Sequence, residues 1–314
     1  MKKYDIIAMG EALIDFTDIG FSENGMRVFE QNPGGAPANV ACAASKLGLK
    51  TAFLGKVGKD MHGDLIIETL EKNGVDTTGV ARDESAFTTL AFVSIGEKGQ
   101  RSFSFSRYNS ADVRYSVEEI NEEMLKQTKI FHFGSLSLTD ELSKRATFEC
   151  IRIAKENGAV ISYDPNYRAL LWESEEKAIL EMRSVLHLTD IIKISDEEIK
   201  LICGTDDYDK AAQMLHTYGI KSVLITLGEN GAFVSNGQKC ELVSAEKSDV
   251  CDTTGAGDCF MAAFLSKLIK ETDINGKVNN DMLYEFCKYA NKAAGICVSR
   301  RGAIPAMPSL EEVK

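Results

Sequence analysis

Clustered positive charge is missing from this chain. Its 314 residues hold 36 Lys and Arg against 47 Asp and Glu, a net charge of −11, with no extended basic run. A general nucleic-acid binder carries a basic patch, so no nucleic-acid partner is expected. Long apolar runs are missing as well. None reaches the ~18 residues needed to cross a bilayer, and no membrane partner is expected. The opening MKKYDIIAMGEALID places Glu11 and Asp15 straight after a short apolar run and offers no small-residue cleavage site. It reads as a first strand rather than a signal peptide. The eight cysteines (42, 150, 203, 240, 251, 259, 287, 297) form no C-x-x-C, a pattern that suits buried thiols in a reducing cytoplasm. The four histidines never fall in H-E-x-x-H, which disfavours a zinc hydrolase. No G-x-x-x-x-G-K-[ST] occurs, so there is no P-loop. Where G-x-G stands at 255–257, the third glycine position of the dinucleotide fingerprint is Phe260, which disfavours a nicotinamide-dependent oxidoreductase.

What is present is enough apolar residue for a core: 44% hydrophobic against 26% charged. Short apolar runs alternate with amphipathic stretches in a βαβ rhythm. Strands are predicted at 5–9, 51–54, 129–133, 159–163, 190–194, 221–226 and 231–235. Helices are predicted near 36–47, 61–73, 117–127, 140–157, 175–186, 195–203, 207–218, 256–270 and 280–299. Such alternation implies an α/β fold, a mainly parallel sheet with helices on both faces. Two segments, about 12–33 and 86–110, break the rhythm. The first has no helical period. In the second, TTLAFVSI and RSFSFS flank the turn GEKGQ, and Phe103 and Phe105 alternate with serines to give one apolar and one polar face. Both segments read as a small antiparallel β flap outside the main sheet. No linker, repeat or low-complexity tract divides the chain, so residues 1–314 are taken as a single domain.

Three stretches carry candidate chemistry. In QNPGGAPANVACAASKLG (31–48), Gly34 and Gly35 allow close backbone approach to a ligand. Asn39 in the first turn of the following helix both donates and accepts, which suits a hydroxyl-rich ligand; an ordinary turn before a buried helix is the alternative. Asp15 lies just past the first strand, where open α/β sheets place ligands, although a turn aspartate has the same pattern. DTTGAGD (252–258) is the strongest signal. It feeds a glycine loop into a helix N-terminus, where free N–H groups and the macrodipole attract anions. Successive amides of Gly255, Ala256, Gly257 and Asp258 would cradle the charge developing on a transferred phosphoryl group. The same terminus should favour the ionised form of Asp258 and leave it a weak base, which suffices in a loose phosphoryl-transfer transition state. In VLITLGENGAFV (223–234), Thr226, Gly228 and Gly231 belong either to a plain hairpin or to a shelf for a purine ring.

GGAPANVACAASKLG (34–48) and DTTGAGDCF (252–260) resemble the two signature segments of the ribokinase-like (PfkB-type) sugar kinases. The resemblance extends through GEALIDF, KVGKDMHGDLIIETLEKNGVDTTGV (56–80) and SRRGAIPAMP (299–308). Within the family, FHFGSLSLT (131–139), SYDPNYRALLW (162–172) and IKISDEE (192–198) are most similar to fructokinases. The resemblance implies a three-layer ribokinase-like fold whose β flap is a lid over the sugar. It implies transfer of the γ-phosphoryl group of ATP, first to the 6-hydroxyl of fructose, with ribose or 2-keto-3-deoxygluconate as neighbouring alternatives. A sugar-binding regulator without catalysis is the alternative from another class. Asp258 would be the base, and Gly255, Ala256 and Gly257 the anion hole. Asp15, Gly35 and Asn39 would hold the sugar, with Gly34 beside them and Phe103 in the lid. Ser195, Thr226, Gly228 and Gly231 would line the nucleotide site, and Asn291 the adenine pocket. The family's N-x-x-E pattern, which organises water around Mg²⁺, reads Ser195-Asp-Glu-Glu198 here; the Glu is kept and the Asn is not. A monovalent cation such as K⁺ would take oxygens from Asp252 and Thr254 and from the backbone near Cys297, Arg300 and Gly302. Arg168 would reach the cleft to fork onto sugar or phosphate oxygens, or else form a structural salt bridge. Phe103 and Phe105 would pack within the lid or against a second subunit's lid, which implies a homodimer.

Overall fold

The computed structural model describes residues 2–95, 101–272 and 278–314, with the backbone alone at 94–95 and 101–103. The turn GEKGQ and the Phe103 side chain therefore lie outside what is described. Thirteen strands are present among the described residues: β1 (Tyr4–Met9), β2 (Leu13–Phe21), β3 (Arg27–Gly34), β4 (Thr51–Gly58), β5 (Val75–Asp83), β6 (Leu90–Ile95), β7 (Arg101–Ser106), β8 (Thr128–Gly134), β9 (Val160–Asp164), β10 (Ile191–Ser195), β11 (Ser222–Thr226), β12 (Ala232–Ser235) and β13 (Cys240–Val243).

Nine of them form one sheet in the order β13-β12-β11-β10-β9-β8-β1-β4-β5. From β11 to β5 every pairing is parallel, and β12 and β13 add an antiparallel edge. The parallel strands are apolar on both faces, as Ile6, Ile7 and Ala8 or Ile191, Ile192 and Ile194 illustrate. That pattern is satisfied only when helices cover both sides. One side is packed by helices including Glu141–Glu156 and Glu175–Ser184, the other by Ala36–Lys46, Ala256–Glu271 and Asn280–Val298. Strand order reverses direction between β1 and β8, and the crevice at the carboxyl ends there is where such sheets take ligands. Asp164, Ser195 and Thr226 are the last residues of three adjacent strands at that edge.

The helix Ala256–Glu271 decides how rigid the site is. Leu265, Phe264 and Met261 are fully buried on it, alongside Cys259, Ala262 and Ala263. A helix apolar all round belongs in the interior, and each large side chain buried there contributes roughly 1.5–3 kcal/mol. Its first turn is thereby held in place by the core rather than by the surface.

Segments 12–33 and 86–110 build the second sheet, ordered β3-β2-β6-β7. It consists of two antiparallel hairpins joined through a parallel pairing of β2 with β6, Ile14 opposite Leu90. Alternation along β2 sends Ile14 and Phe16 to one face and Leu13, Asp15 and Thr17 to the other. Phe16 stacks on Phe92 at 5.2 Å and meets His62 edge-on at 5.8 Å, which anchors that face on the helix Met61–Lys72.

The helix predicted over 117–127 is instead a short turn, Val117–Glu119, followed by a four-residue helix, Glu122–Leu125. Asn121 between them is an N-cap, its side chain accepting from the Met124 N–H, so a new helix starts where a continuous one was expected. No helix among the described residues is long and apolar enough to cross a membrane.

Candidate active site

A cleft of about 910 Å³ opens where the carboxyl edge of the nine-stranded sheet faces the polar side of β2. Leu13, Asp15, Thr17, Val93 and Phe105 line it from the second sheet. From the main sheet and its helices come Gly35, Asn39, Ser195, Glu198, Thr226, Gly228 and the whole loop from Cys251 to Asp258. Two signature segments far apart in sequence thus share one cavity.

They also touch. Asn39 Nδ2 donates to Asp258 Oδ2 at 2.8 Å, while Asn39 Oδ1 is buried without a partner among the described residues. Asn39 is held by the turn before it. Gly35, with φ 108° and ψ 130°, follows β3 and caps the helix, and a Cβ there would overlap the Glu11 carbonyl oxygen. Glu11 itself accepts from the Ala36 N–H at 3.0 Å through Oε1. A Cβ on Gly34 would come within 2.8 Å of Asp15 Oδ2, so that glycine leaves room for the Asp15 carboxylate.

Asp258 occupies the third position of the helix Ala256–Glu271 and is 5% exposed. Gly255 starts that helix at φ 78°, a left-handed conformation that glycine adopts freely. The N–H groups of Gly257 and Asp258 have no acceptor among the described residues, whereas that of Ala256 donates to the Thr253 carbonyl at 3.3 Å. The expected four-amide cradle is therefore narrower, with the Ala256 amide engaged in the loop's own turn.

The electrostatics overturn one expectation. The helix terminus was to keep Asp258 ionised and weakly basic, but burial dominates. Burial, with Asp164 second, pushes Asp258 up to about 6 against the pull of Asn39, Lys193 and Arg168. Asp15 is also pushed up to about 6, first by burial, with Arg168 opposing and Asp258 and Asp252 adding. Glu11 reaches about 7, mainly through burial, and its Oε2 has no partner among the described residues.

Arg168 is exposed at the cleft, its guanidinium donating to the Tyr167 carbonyl at 3.0 Å. No carboxylate among the described residues lies within ion-pair distance of it, while its charge lowers the proton affinity of Asp15 and Asp258 across the cleft.

Ser195 caps the helix Asp196–Cys203 in a reciprocal box with Glu198. Glu198 Oε2 accepts from the Ser195 N–H at 2.8 Å and Oε1 from the Tyr167 N–H at 2.6 Å. Thr226 and Gly228 line the cleft, but Gly231 and Asn291 do not. Gly231 closes the β11–β12 hairpin at φ 94°, where a Cβ would overlap the Val243 carbonyl oxygen. Asn291 Nδ2 donates to that same carbonyl at 2.9 Å, tying its helix to β13.

The residues matched to a monovalent-cation loop do converge. Asp252 Oδ1 accepts from the Thr254 N–H and hydroxyl at 3.0 and 2.7 Å, and Oδ2 accepts from the Gly302 N–H at 3.1 Å. Cys297 Sγ lies 4.0 Å from the Thr254 carbonyl. Arg300 turns its side chain to Glu312, and its neighbour Arg301 faces the cleft.

Three cleft residues escaped the sequence reading. Glu11 lies four residues before Asp15 in GEALIDF, and nothing in that string marks it as a cleft residue. Asn166 donates towards Asp258 Oδ1 at 3.4 Å and holds φ 46°, unusual for a residue other than glycine. Lys193 is a buried lysine in an isoleucine-rich strand, a break in pattern that could have flagged it.

The model of the pfkB family carbohydrate kinases matches residues 3–310. The chain belongs to that family. Fructokinase-1 of Zea mays is 40% identical over 311 residues, covering 98% of this kinase and 96% of the relative. A fructokinase from Xylella fastidiosa solved with bound ATP superposes with a TM-score of 0.92 at 33% identity, over all of this pfkB kinase and 97% of that chain. A fructokinase double mutant from Vibrio cholerae O395, solved in a form binding fructose, ADP and potassium ion, gives 0.89 at 28% identity over 99% and 97% of the two chains.

Proposed function

We propose that this chain is a fructokinase that moves the γ-phosphoryl group of ATP to the 6-hydroxyl of fructose. The observation that carries the reading is the 2.8 Å bond from Asn39 to Asp258. It brings a sugar-sized polar wall and an anion-accepting helix start into one cleft. Relatives named fructokinase at about 40% identity over nearly the full length supply the substrate.

The chemistry follows from the placement. Asp15 and Asn39 accept and donate to sugar hydroxyls, which orients the acceptor oxygen between them and Asp258. Asp258 takes the hydroxyl proton as that oxygen bonds to the γ-phosphorus. The bond from the γ-phosphorus to the bridging oxygen breaks, and ADP departs with its electrons. The Gly257 and Asp258 amides receive charge that spreads over the phosphoryl oxygens. Thr226, Gly228 and Ser195 form the floor on which the nucleotide lies.

Among the described residues no group of three His, Cys, Asp or Glu could hold a metal ion. A magnesium ion in such a site would be carried mainly by nucleotide phosphates and water. Glu198, fixed by its two backbone donors, retains lone pairs for such a water; the ion would neutralise phosphate charge. The Asp252, Thr254 and Gly302 cluster supplies oxygens of the kind potassium takes.

The same reading makes the second sheet a lid that excludes water. Ile19, Phe21 and Met26 are exposed on its outer hairpin, and they support a homodimer through the lids. Arg168 at the cleft suits sugar hydroxyls or the carboxylate of an acceptor such as 2-keto-3-deoxygluconate, and does not choose between them.

One assay separates these readings: ADP release from ATP and Mg²⁺ across a sugar panel, with Asp258→Asn alongside. Selective turnover of fructose that collapses in the variant is expected. Turnover of a sugar acid alone moves the substrate. Tight sugar binding with no turnover on any sugar sinks the kinase reading in favour of a regulator.

A further inference from the structure

Lys193 is a charge that the phosphoryl-transfer scheme above leaves unused. It sits in β10, IIKIS, between Ile192 and Ile194, both fully buried. Another isoleucine would serve the packing. A lysine brings an ammonium into the interior, which desolvation opposes unless a partner compensates. That partner is Asp164 at the end of β9: Nζ lies 2.8 Å from Oδ2, with side chains 7% and 2% exposed. Burial alone would lower the lysine's proton affinity, yet Asp164 and Glu198 outweigh it and hold Lys193 above its ordinary value. The ammonium is charged.

Two observations separate it from a structural pair. The first is position. A Cβ built on Gly257 would lie 2.9 Å from Lys193 Nζ and 3.4 Å from Cε. The ammonium therefore presses on the second residue of the helix Ala256–Glu271, whose free amide belongs to the anion cradle. Only glycine lets it come so near. The second is unspent capacity. An ammonium has three donors; Asp164 takes one, and no other acceptor is found among the described residues, although Lys193 lines the cleft. Across the pair, Asp164 Oδ1 is buried with no partner there either.

We propose that Lys193 is a further catalytic residue of this kinase: its ammonium, clamped by Asp164 beneath Gly257, donates to the phosphoryl oxygens as they pass the helix terminus. The proposal rests on the kinase reading above. A charge fixed in place before the reaction, in a water-poor site, acts most strongly when negative charge is spread over the transferring group. Gly257 then has two duties, an amide for the anion and a bare α-carbon that admits the lysine.

The test compares wild type, Lys193→Met, and Lys193→Met/Asp164→Asn with ATP, Mg²⁺ and fructose. The single variant leaves Asp164 buried and unpaired, so it can lose its fold. The double variant removes both charges, and thermal denaturation verifies that it is folded. A fall in kcat of roughly 100- to 1000-fold is expected in the double variant, the scale for losing one preorganised donor. KM for fructose should stay within about threefold, the mark of an interaction made in the transition state. Wild-type kcat in the double variant overturns the proposal and returns the pair to packing. A loss confined to KM for fructose overturns it too, since it would put Lys193 on the sugar. Wild-type protein with no turnover on fructose or on the sugar panel above would sink the kinase reading itself, so the two failures stay distinct.

Discussion

Acidification should switch this kinase off near pH 6, and Asp258 sets the value. Its carboxyl is moved from 3.8 to about 6, first by burial and then by Asp164. At ~1.4 kcal/mol per pH unit, that interval makes the ionised form about 3 kcal/mol harder to hold in the fold. A base must be ionised to take the hydroxyl proton. With a titration near 6, roughly a tenth of the molecules are competent at pH 5, so kcat/KM should fall about tenfold from its plateau at pH 8. An aspartate at its ordinary value would lose almost nothing there. Asp15 is also raised to about 6 and is repelled by Asp258 directly, so the two titrations are pushed apart and the limb should be broader than that of an isolated carboxyl. Arg168 lowers both carboxyls, and Arg168→Ala should therefore shift the limb to higher pH. Chromatographic ADP from quenched time points between pH 4.5 and 8.5, about the useful range for these groups, avoids coupling enzymes. A wild-type limb at pH 4, or one unmoved in Arg168→Ala, would refute the reasoning. The sign for folding is opposite to that for catalysis. A carboxyl raised in the fold favours folding below its unfolded value, and that contribution is lost as pH rises through about 6. Asp258→Asn should abolish turnover yet raise the melting temperature at pH 8, by up to about 3 kcal/mol of stability, and do little at pH 3.5.

Gly35→Ala should destabilise the fold by more than ~3 kcal/mol, because backbone strain of about 1–3 kcal/mol adds to overlap with an immovable carbonyl; an unchanged denaturation midpoint would contradict that packing. Replacing K⁺ by a bulky organic cation should lower kcat, and Asp252→Ala should remove the dependence; equal rates in both salts would remove the cation from the loop. Sedimentation should show about twice the 34.4 kDa chain mass, and Phe21→Asp should return it to one; a wild-type monomer at assay concentration would exclude the lid-to-lid dimer.

The central sheet was legible because its strands are buried on both faces and read as unbroken apolar runs. Its edges were not. β5, VDTTGVARD, and β13, CELV, are half exposed, and their mixed sequences carry no such run. The glycine loop and Asp258 stood out as a string. The charge state of Asp258 did not, since the macrodipole is written locally while the burial that outweighs it comes from a helix sunk in the core. Lys193 needed Asp164, 29 residues away on the neighbouring strand. Asn166 needed a backbone angle. The bond from Asn291 to the Val243 carbonyl, and the close approach of that carbonyl to Gly231, emerge only once β13 is in place.

The cleft's two acids ride on different bodies. Asp15 belongs to β2 and is paired with Asn32 of β3, so its position is fixed by the small sheet. Asp258 is planted in the buried helix and cannot follow. The gap between two like charges is thus set by the tilt of one plate against the other, at a root where Leu13 faces Gly34. If the plate is the lid proposed above, bringing it down on an empty cleft would drive the acids together against their repulsion. On the lid reading proposed above, a polyol between them would screen that repulsion and satisfy both, which makes the substrate the condition for the plate to settle.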